Sequence, residues 1–236
     1  MIDLIERLIE LESDVRYQEA ASDDEAEYRH VPGRVPVLLS APHGAVHGRD
    51  GKIRKDEDEY TAAIVCLVAE KTGAHALYAR RCSDTDPNYH ATAPYRDCLR
   101  TIVQTHRIRF VLDVHGARAD REFGIALGTI DGASCPEYED LIVGILEADG
   151  FKRNGAGLDR LALNERYFTG GKDQDTITRF VSRELNLPAA QLEVNQWLRV
   201  AQRLPDASSQ GPFHGDVSYI RRTVHAVVAL VHALAA

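Results

Sequence analysis

His43 and His115 each stand directly after a short apolar run and directly before a glycine, in Ser40-Ala41-Pro42-His43-Gly44 and Asp113-Val114-His115-Gly116. Imidazole is the commonest side-chain metal ligand, so two histidines in equivalent settings are a candidate pair of ligands. A two-histidine zinc site takes a carboxylate as its third ligand and leaves a fourth position for a water that ionises near neutral pH. Glu57, in the run Asp56-Glu57-Asp58-Glu59, follows the first histidine closely enough to supply that carboxylate. Four consecutive carboxylates repel one another, and either a divalent cation or solvent relieves the repulsion. The plainer readings are a hydrogen-bonded structural histidine and a carboxylate favoured at a helix start by the helix dipole. Glu193 is the fourth candidate. In Ala190-Gln191-Leu192-Glu193-Val194-Asn195 the polar residues 191, 193 and 195 share one side of a strand, which must then meet something polar. An edge strand with a wet face gives the same pattern, but beside a zinc-bound water a carboxylate of raised pKa is the expected general base.

The elements that must position these residues alternate along the chain. Val35 to Ala41 is an almost wholly apolar, β-branched run, the profile of a strand buried on both faces. A helix is expected from about Asp58 to Lys71, with Tyr60, Ile64, Leu67 and Val68 on one face and Gly73 as its stop. A strand over Ala74 to Ala79, a helix opened by Pro94 and a strand over Phe110 to Val114 follow. Further on come a strand within 123–130, helices around Tyr138 to Leu146 and Ile177 to Leu185, a strand over Ala189 to Asn195 and a long helix from Val217 to Val231. Residues 1–12 read as an amphipathic opening helix, and the polar stretch 17–34 as a surface loop or active-site flap. Strands alternating with helices, without hairpin signals, predict an α/β domain with a mostly parallel or mixed central sheet covered on both faces. Sites in such folds gather at the carboxyl ends of the strands.

Composition sets the outer limits. The chain has 236 residues, 44% hydrophobic and 27% charged, which excludes a disordered or fibrous protein and suits one large domain over 1–236. A formal net charge of -8 disfavours nucleic acid or an anionic membrane as the main partner. The first ten residues mix charged with apolar positions, so they do not form the apolar core of a signal peptide, and a cytoplasmic location is expected. The four cysteines form no Cys-x-x-Cys pair, and Cys66 and Cys98 fall on the apolar sides of expected helices, so disulfides and a zinc ribbon are not expected.

Ser40-Ala41-Pro42-His43-Gly44, Glu57-Asp58, Asp86-Pro87-Asn88, Asp113-Val114-His115-Gly116 and Gln191-Leu192-Glu193-Val194-Asn195, in that order over residues 35–199, resemble the ordered motifs of the N-formylglutamate amidohydrolase family. That family is similar in fold and site to zinc carboxypeptidases. The resemblance implies one catalytic zinc per chain, held by His43, Glu57 and His115, with Glu193 as the base that activates the zinc-bound water. Asn88 matches an asparagine that would hold a substrate carboxylate, although the family's next residue is usually arginine and here it is Tyr89. Arg81 is placed to polarise the scissile carbonyl or to grip a carboxylate, and Arg96, Arg118 and Arg179 are other possible clamps. Gly170-Gly171 with Thr176 to Arg179 also resembles a segment near the family's substrate.

The implied activity is hydrolysis of the amide bond of a small N-acylated acidic amino acid, such as N-formylglutamate. A carboxypeptidase-like or poly-γ-glutamate-cleaving hydrolase is the alternative, favoured if the 17–34 segment leaves an open groove. A non-catalytic metal-binding protein on the same fold is the third reading. A structural zinc would be closed by a fourth protein ligand, for which His47 or His90 is available. The expected partner is a small molecule or short peptide carrying a carboxylate; no residue fixes the oligomeric state.

Overall fold

The computed structural model of the chain describes residues 3–51 and 53–236. Its centre is a seven-stranded mixed sheet in the order β1-β5-β2-β6-β9-β7-β8, with a separate two-stranded hairpin, β3-β4. The strands are β1 (Tyr28–Val31), β2 (Val37–Ala41), β3 (His47–Arg49), β4 (Ile53–Lys55), β5 (His75–Ala79), β6 (Phe110–Ala117), β7 (Ile125–Gly128), β8 (Leu161–Leu163) and β9 (Ala189–Asn195). The helices are α1 (Leu4–Glu12), α2 (Thr61–Thr72), α3 (Pro94–His106), α4 (Glu139–Ala148), α5 (Ile177–Glu184) and α6 (Val217–Ala235).

The four inner strands β5, β2, β6 and β9 run parallel, while β1 joins β5 and β7 joins β9 antiparallel. Every residue of β2 and β5 is buried, as continuous apolar runs with helices on both faces require. On one face α1, α2, α4 and α6 bury Leu39, Leu112, Val114, Leu192 and Val194; on the other, α3 and α5 cover Leu38, Leu77, Val111 and Ala189. Alternation along each strand therefore leaves Ser40, Asp113, His115, Gln191 and Glu193 on the α3/α5 side. The carboxyl half of that side is polar, and there the helices withdraw to leave a pocket.

Three features differ from the sequence reading. The segment 17–34 is not only a loop: Tyr28–Val31 forms the edge strand of the sheet. The hairpin β3-β4 and the short strand β8 lacked apolar alternation long enough to signal them. Helix α2 begins at Thr61, not near Asp58, and the acidic run before it is an irregular segment ending in a turn. None of those acids caps α2. Its first turn is closed from α1, where Glu12 accepts hydrogen bonds from the Tyr60 and Ala63 amides at 2.7 and 3.0 Å. The four cysteines are free, and no helix among the described residues is long and apolar enough to cross a membrane.

Candidate active site

Parallel pairing of β6 with β9 sets His115 directly against Glu193 and Asp113 against Gln191. β2 lies on the other side of β6, with Ser40 against Asp113, and the chain leaves it through Pro42 to His43. Three adjacent strand ends thus deliver both histidines and Glu193 to one place. The glycines that follow the histidines have packing reasons of their own. A Cβ at Gly44 would lie 2.3 Å from the carbonyl oxygen of Ala79, and one at Gly116 would lie 2.5 Å from the Arg199 guanidinium.

Both imidazoles are buried and anchored through Nε2. His43 Nε2 is 2.9 Å from Asp86 Oδ1, and His115 Nε2 is 3.0 Å from Asp113 Oδ2, both carboxylates being fully buried. Asp113 also accepts from the Ser40 hydroxyl at 3.1 Å, and Asp86 accepts from the Arg49 guanidinium at 2.6 Å and the Asn88 amide at 2.7 Å. With Nε2–H donated to carboxylates, each ring turns Nδ1 inward. The two Nδ1 atoms lie 3.5 and 3.3 Å from one oxygen, Asp58 Oδ2, and that of His43 is buried without a hydrogen-bond partner. These three groups meet the geometric demand of a metal-binding cluster. Once Nδ1 of each ring is deprotonated, two imidazole nitrogens and one carboxylate oxygen, oriented by outer carboxylates, are a donor set that suits zinc.

The carboxylate that meets the two histidines is that of Asp58, whereas the sequence expectation fell on its neighbour Glu57. The Asp58 amide donates to the His43 carbonyl at 2.7 Å, fixing residue 58 beside the first histidine. Glu57 faces away from the histidines, toward Ser208. Its carboxylate accepts from the Ser208 amide at 2.7 Å and from the Ser208 hydroxyl. The acidic run disperses: Asp56 pairs with Arg54, Asp58 with Lys55 and Glu59 with Arg203.

Burial pushes the Glu193 carboxyl above the ordinary glutamate range, against the opposing pull of His115. Burial also opposes charge on His115, but Asp113 and Asp58 outweigh it and hold the imidazole well above its usual value. Asp58 goes the other way, its desolvation overcome by Lys55, His115 and His43. Glu193 Oε1 accepts from Gln191 Nε2 at 2.7 Å, which leaves Oε2 for the pocket.

The pocket has a volume of about 430 Å³, within the range of small-molecule sites, and is lined by His43, Asp58, His115, Glu193, Asn88 and Arg49 among others. Asn88 lies with Nδ2 3.2 Å from His115 Nε2, and its Oδ1 accepts from the Ile177 amide at 2.8 Å.

Of the expected arginines, none of Arg81, Arg96 and Arg179 lines this pocket. Arg81 follows β5, which lies outboard of β2, so the chain carries it to the sheet edge, where it pairs with Glu25 and donates to the Asp14 carbonyl. Arg96 is buried at the first turn of α3, donating to the Pro87 carbonyl at 2.7 Å and to Asp175 at 3.0 Å through Nη1 and 2.7 Å through Nη2. It ties two segments of the pocket rim together from behind. Arg179 on α5 donates to the carbonyls of Gly171 and Lys172 and faces a neighbouring surface hollow. Arg118 is exposed and pairs with Asp120.

Neither His47 nor His90 joins the His43–Asp58–His115 group. His47 directs its two ring nitrogens at the carbonyls of Thr85 and Pro42, and His90 Nδ1 accepts from the Asp86 amide at 2.9 Å. Arg49 and Lys55 were missed because they sit on the hairpin β3-β4. Arg49 packs 5.4 Å from the Tyr89 ring centroid, so a guanidinium does stand at the position after Asn88, but it comes from another strand. Asp86 and Asp113 lay inside the family-like motifs, and the rule that a ligating histidine leans on a carboxylate was the available signal.

No protein-family model and no curated protein matches the sequence. Solved structures do. The chain superimposes on N-formylglutamate amidohydrolase from Ralstonia eutropha JMP134 with a TM-score of 0.62 at 15% identity, covering 89% of this chain and 98% of that one. The fold is that of N-formylglutamate amidohydrolase. A protein provisionally described as carboxypeptidase A, from Shewanella denitrificans OS-217, aligns with a TM-score of 0.50 at 12% identity over 98% of this chain and 68% of its own. The expected α/β architecture, with a mixed sheet flanked by helices as in zinc carboxypeptidases, is thereby met.

Proposed function

We propose that this single-domain chain is a zinc-dependent amidohydrolase that cleaves the amide bond of a small N-acylated amino acid bearing a carboxylate, with N-formylglutamate the first candidate. The observation that carries the reading is the convergence of His43 Nδ1, His115 Nδ1 and Asp58 Oδ2, backed by Asp86 and Asp113 and with Glu193 in the same pocket. His43, Asp58 and His115 would hold the ion, which when bound supplies Lewis acidity toward a carbonyl and acidifies water. Asp113 and Asp86 fix the ring orientations and keep Nδ1 directed inward.

Glu193 is the general base. Its Oε2 takes a proton from the attacking water, and its raised pKa suits it to return that proton to the leaving nitrogen. The products are a carboxylate and a free amine. Arg49 and Lys55 at the pocket wall, with the Asn88 amide, are positioned to hold the substrate carboxylate, a role that does not require an arginine at residue 89. The test is metal content and formate release from N-formylglutamate by tag-free protein. Zinc that disappears from the pocket in His115→Ala, together with turnover, supports the reading; turnover undiminished in that variant refutes it.

A second reading rests on the groove beyond the pocket. A hollow of about 710 Å³ shares Arg49, Lys55, Asp58 and Gly116 with the pocket and adds Arg54, Arg118 and Arg203. Those arginines pair at rest with Asp56, Asp120 and Glu59 of the same wall, and a substrate with successive carboxylates, such as a γ-linked glutamyl peptide, would take their place as partner. A kcat/KM that rises with the number of γ-glutamyl units would favour it over the single amino acid.

A further inference from the structure

The opposite end of the sheet carries a second group of imidazoles, which the proposed hydrolysis does not use. His75 opens β5, at the amino end of the parallel strands, whereas the pocket lies at their carboxyl ends. The antiparallel register sets His30 of β1 against Leu77, so His30 and His75 are diagonal neighbours on the face that α3 covers. His106, in the last turn of α3, reaches the same spot. The rings gather closely: centroids lie 5.5 Å apart for His30 and His75, 4.6 Å for His75 and His106, and 5.4 Å for His30 and His106.

One nitrogen of each ring lies within 4.8 Å of the other two. His30 Nε2 and His75 Nδ1 are 3.2 Å apart. The two rings meet end to end in a hydrogen bond; tetrahedral zinc, with zinc–nitrogen bonds of about 2.0–2.1 Å, sets its nitrogen ligands roughly 3.3–3.4 Å apart, so the spacing suits one ion once a ring turns its lone pair toward it. His106 is exposed, and a turn of its side chain supplies the remaining approach. His75 is buried, which keeps it neutral with its pKa pushed down to about 4, and burial lowers His30 in the same direction. The carboxyl end of α3 adds a field that favours a cation.

We propose that His30, His75 and His106 form a second metal site, for a divalent first-row ion of the kind that prefers imidazole nitrogen, such as zinc, nickel or copper. Three protein nitrogens leave one coordination position open to solvent on the exposed side. The ion ties together the edge strand β1, strand β5 and helix α3, three segments distant in the chain, so its occupancy stabilises that edge of the sheet by mass action.

The test uses tag-free, metal-stripped protein titrated with zinc against a chromophoric chelator, with melting followed by circular dichroism. His43→Ala/His115→Ala, which removes the pocket's imidazoles, should still take up one equivalent and melt higher with zinc than without. Adding His106→Gln, an exposed helix-end change that the fold tolerates, should abolish both the uptake and the shift. In the otherwise native chain, H106Q should bind one equivalent fewer while keeping its hydrolytic rate. Copper bound to the pocket-deleted protein should show the spin-resonance splitting of coordinated imidazole nitrogens. Equal zinc uptake with and without His106, or no uptake by the pocket-deleted protein, overturns the proposal and leaves the pocket reading untouched.

Discussion

Exchanging the charge of Glu57 and of Asp58 separately should give opposite results, although the two residues are adjacent. Asp58→Asn removes the carboxylate that faces both His43 and His115, at 3.5 and 3.3 Å from their Nδ1 atoms, while keeping its shape and the backbone hydrogen bond to the His43 carbonyl. Loss of a residue that only orients a ligand typically costs about 10- to 100-fold in metal affinity. In the proposed site Asp58 supplies a ligand oxygen and neutralising charge, so its loss should exceed that range, weakening zinc by more than about 100-fold, or about 2.7 kcal/mol. Glu57→Gln acts elsewhere. Its oxygens accept from the Ser208 amide and hydroxyl at a buried position on the wall of the adjoining hollow, turned from the histidines, and a glutamine can keep the amide bond. The expected cost is about 1 kcal/mol of stability, the worth of one weakened hydrogen bond, with zinc affinity almost unchanged. Both variants are read by zinc competition against a chelator and by urea denaturation of the stripped proteins. Zinc affinity that collapses in E57Q and survives in D58N would refute the geometry and restore the sequence expectation.

Glu193→Gln should lower the hydrolytic rate by about 10²- to 10⁴-fold while zinc stays bound, the signature of a lost base as opposed to a lost ligand. Because burial raises the Glu193 carboxyl and the base must be ionised to act, kcat/KM of the native chain should fall with decreasing pH at a point above the ordinary glutamate range, and a limb set at ordinary glutamate pH would count against the role. Arg96→Met strips the Pro87 carbonyl and Asp175 of a buried guanidinium; since Asp175 is partly exposed, the loss should be about 2–3 kcal/mol rather than the full cost of a broken buried pair, measured by chemical denaturation. Glu12 is fully buried and its pKa is pushed up to about 7 by desolvation, partly offset by bonds from Tyr17, Tyr60 and Ala63. The folded state therefore holds this proton where the unfolded chain has released it, so its contribution is complete below about pH 4.5 and is lost as pH rises to about 7, by roughly 3 kcal/mol in all. Denaturation midpoints at successive pH values should show that slope in the native chain and lack it in Glu12→Gln; identical slopes would remove Glu12 from the account.

The pattern of apolar runs sufficed for most of the elements because β2, β5, β6 and β9 are buried on both faces, where hydrophobicity alone specifies a strand. The edge strand β1 and the hairpin β3-β4 were invisible for the complementary reason: they are short and partly solvated, and what holds them is pairing with strands far along the chain. The candidate site divides in the same way. His43, His115 and Glu193 could be singled out locally, since each ends or interrupts an apolar strand, and the sheet brings them into one pocket with Asn88.

Choosing between Glu57 and Asp58 needed the backbone bond from Asp58 to His43, because two neighbouring carboxylates in an irregular segment carry no local signal of which one faces inward. Arg81, Arg96 and Arg179 are expected near the substrate from their places beside the family-like motifs or as carboxylate clamps, and the fold gives them other work, as an edge ion pair, a rear clamp and a loop tie. The guanidinium at the pocket mouth comes from Arg49, across a hairpin that no local pattern announced. Residue types and their order along the chain thus determined the α/β class, the strand ends and the histidine and glutamate chemistry on offer. Only tertiary structure decided which carboxylate faces the histidines, which cation reaches the mouth and that His30, His75 and His106 meet, because each of those outcomes depends on strand register and on distances between segments far apart in the chain.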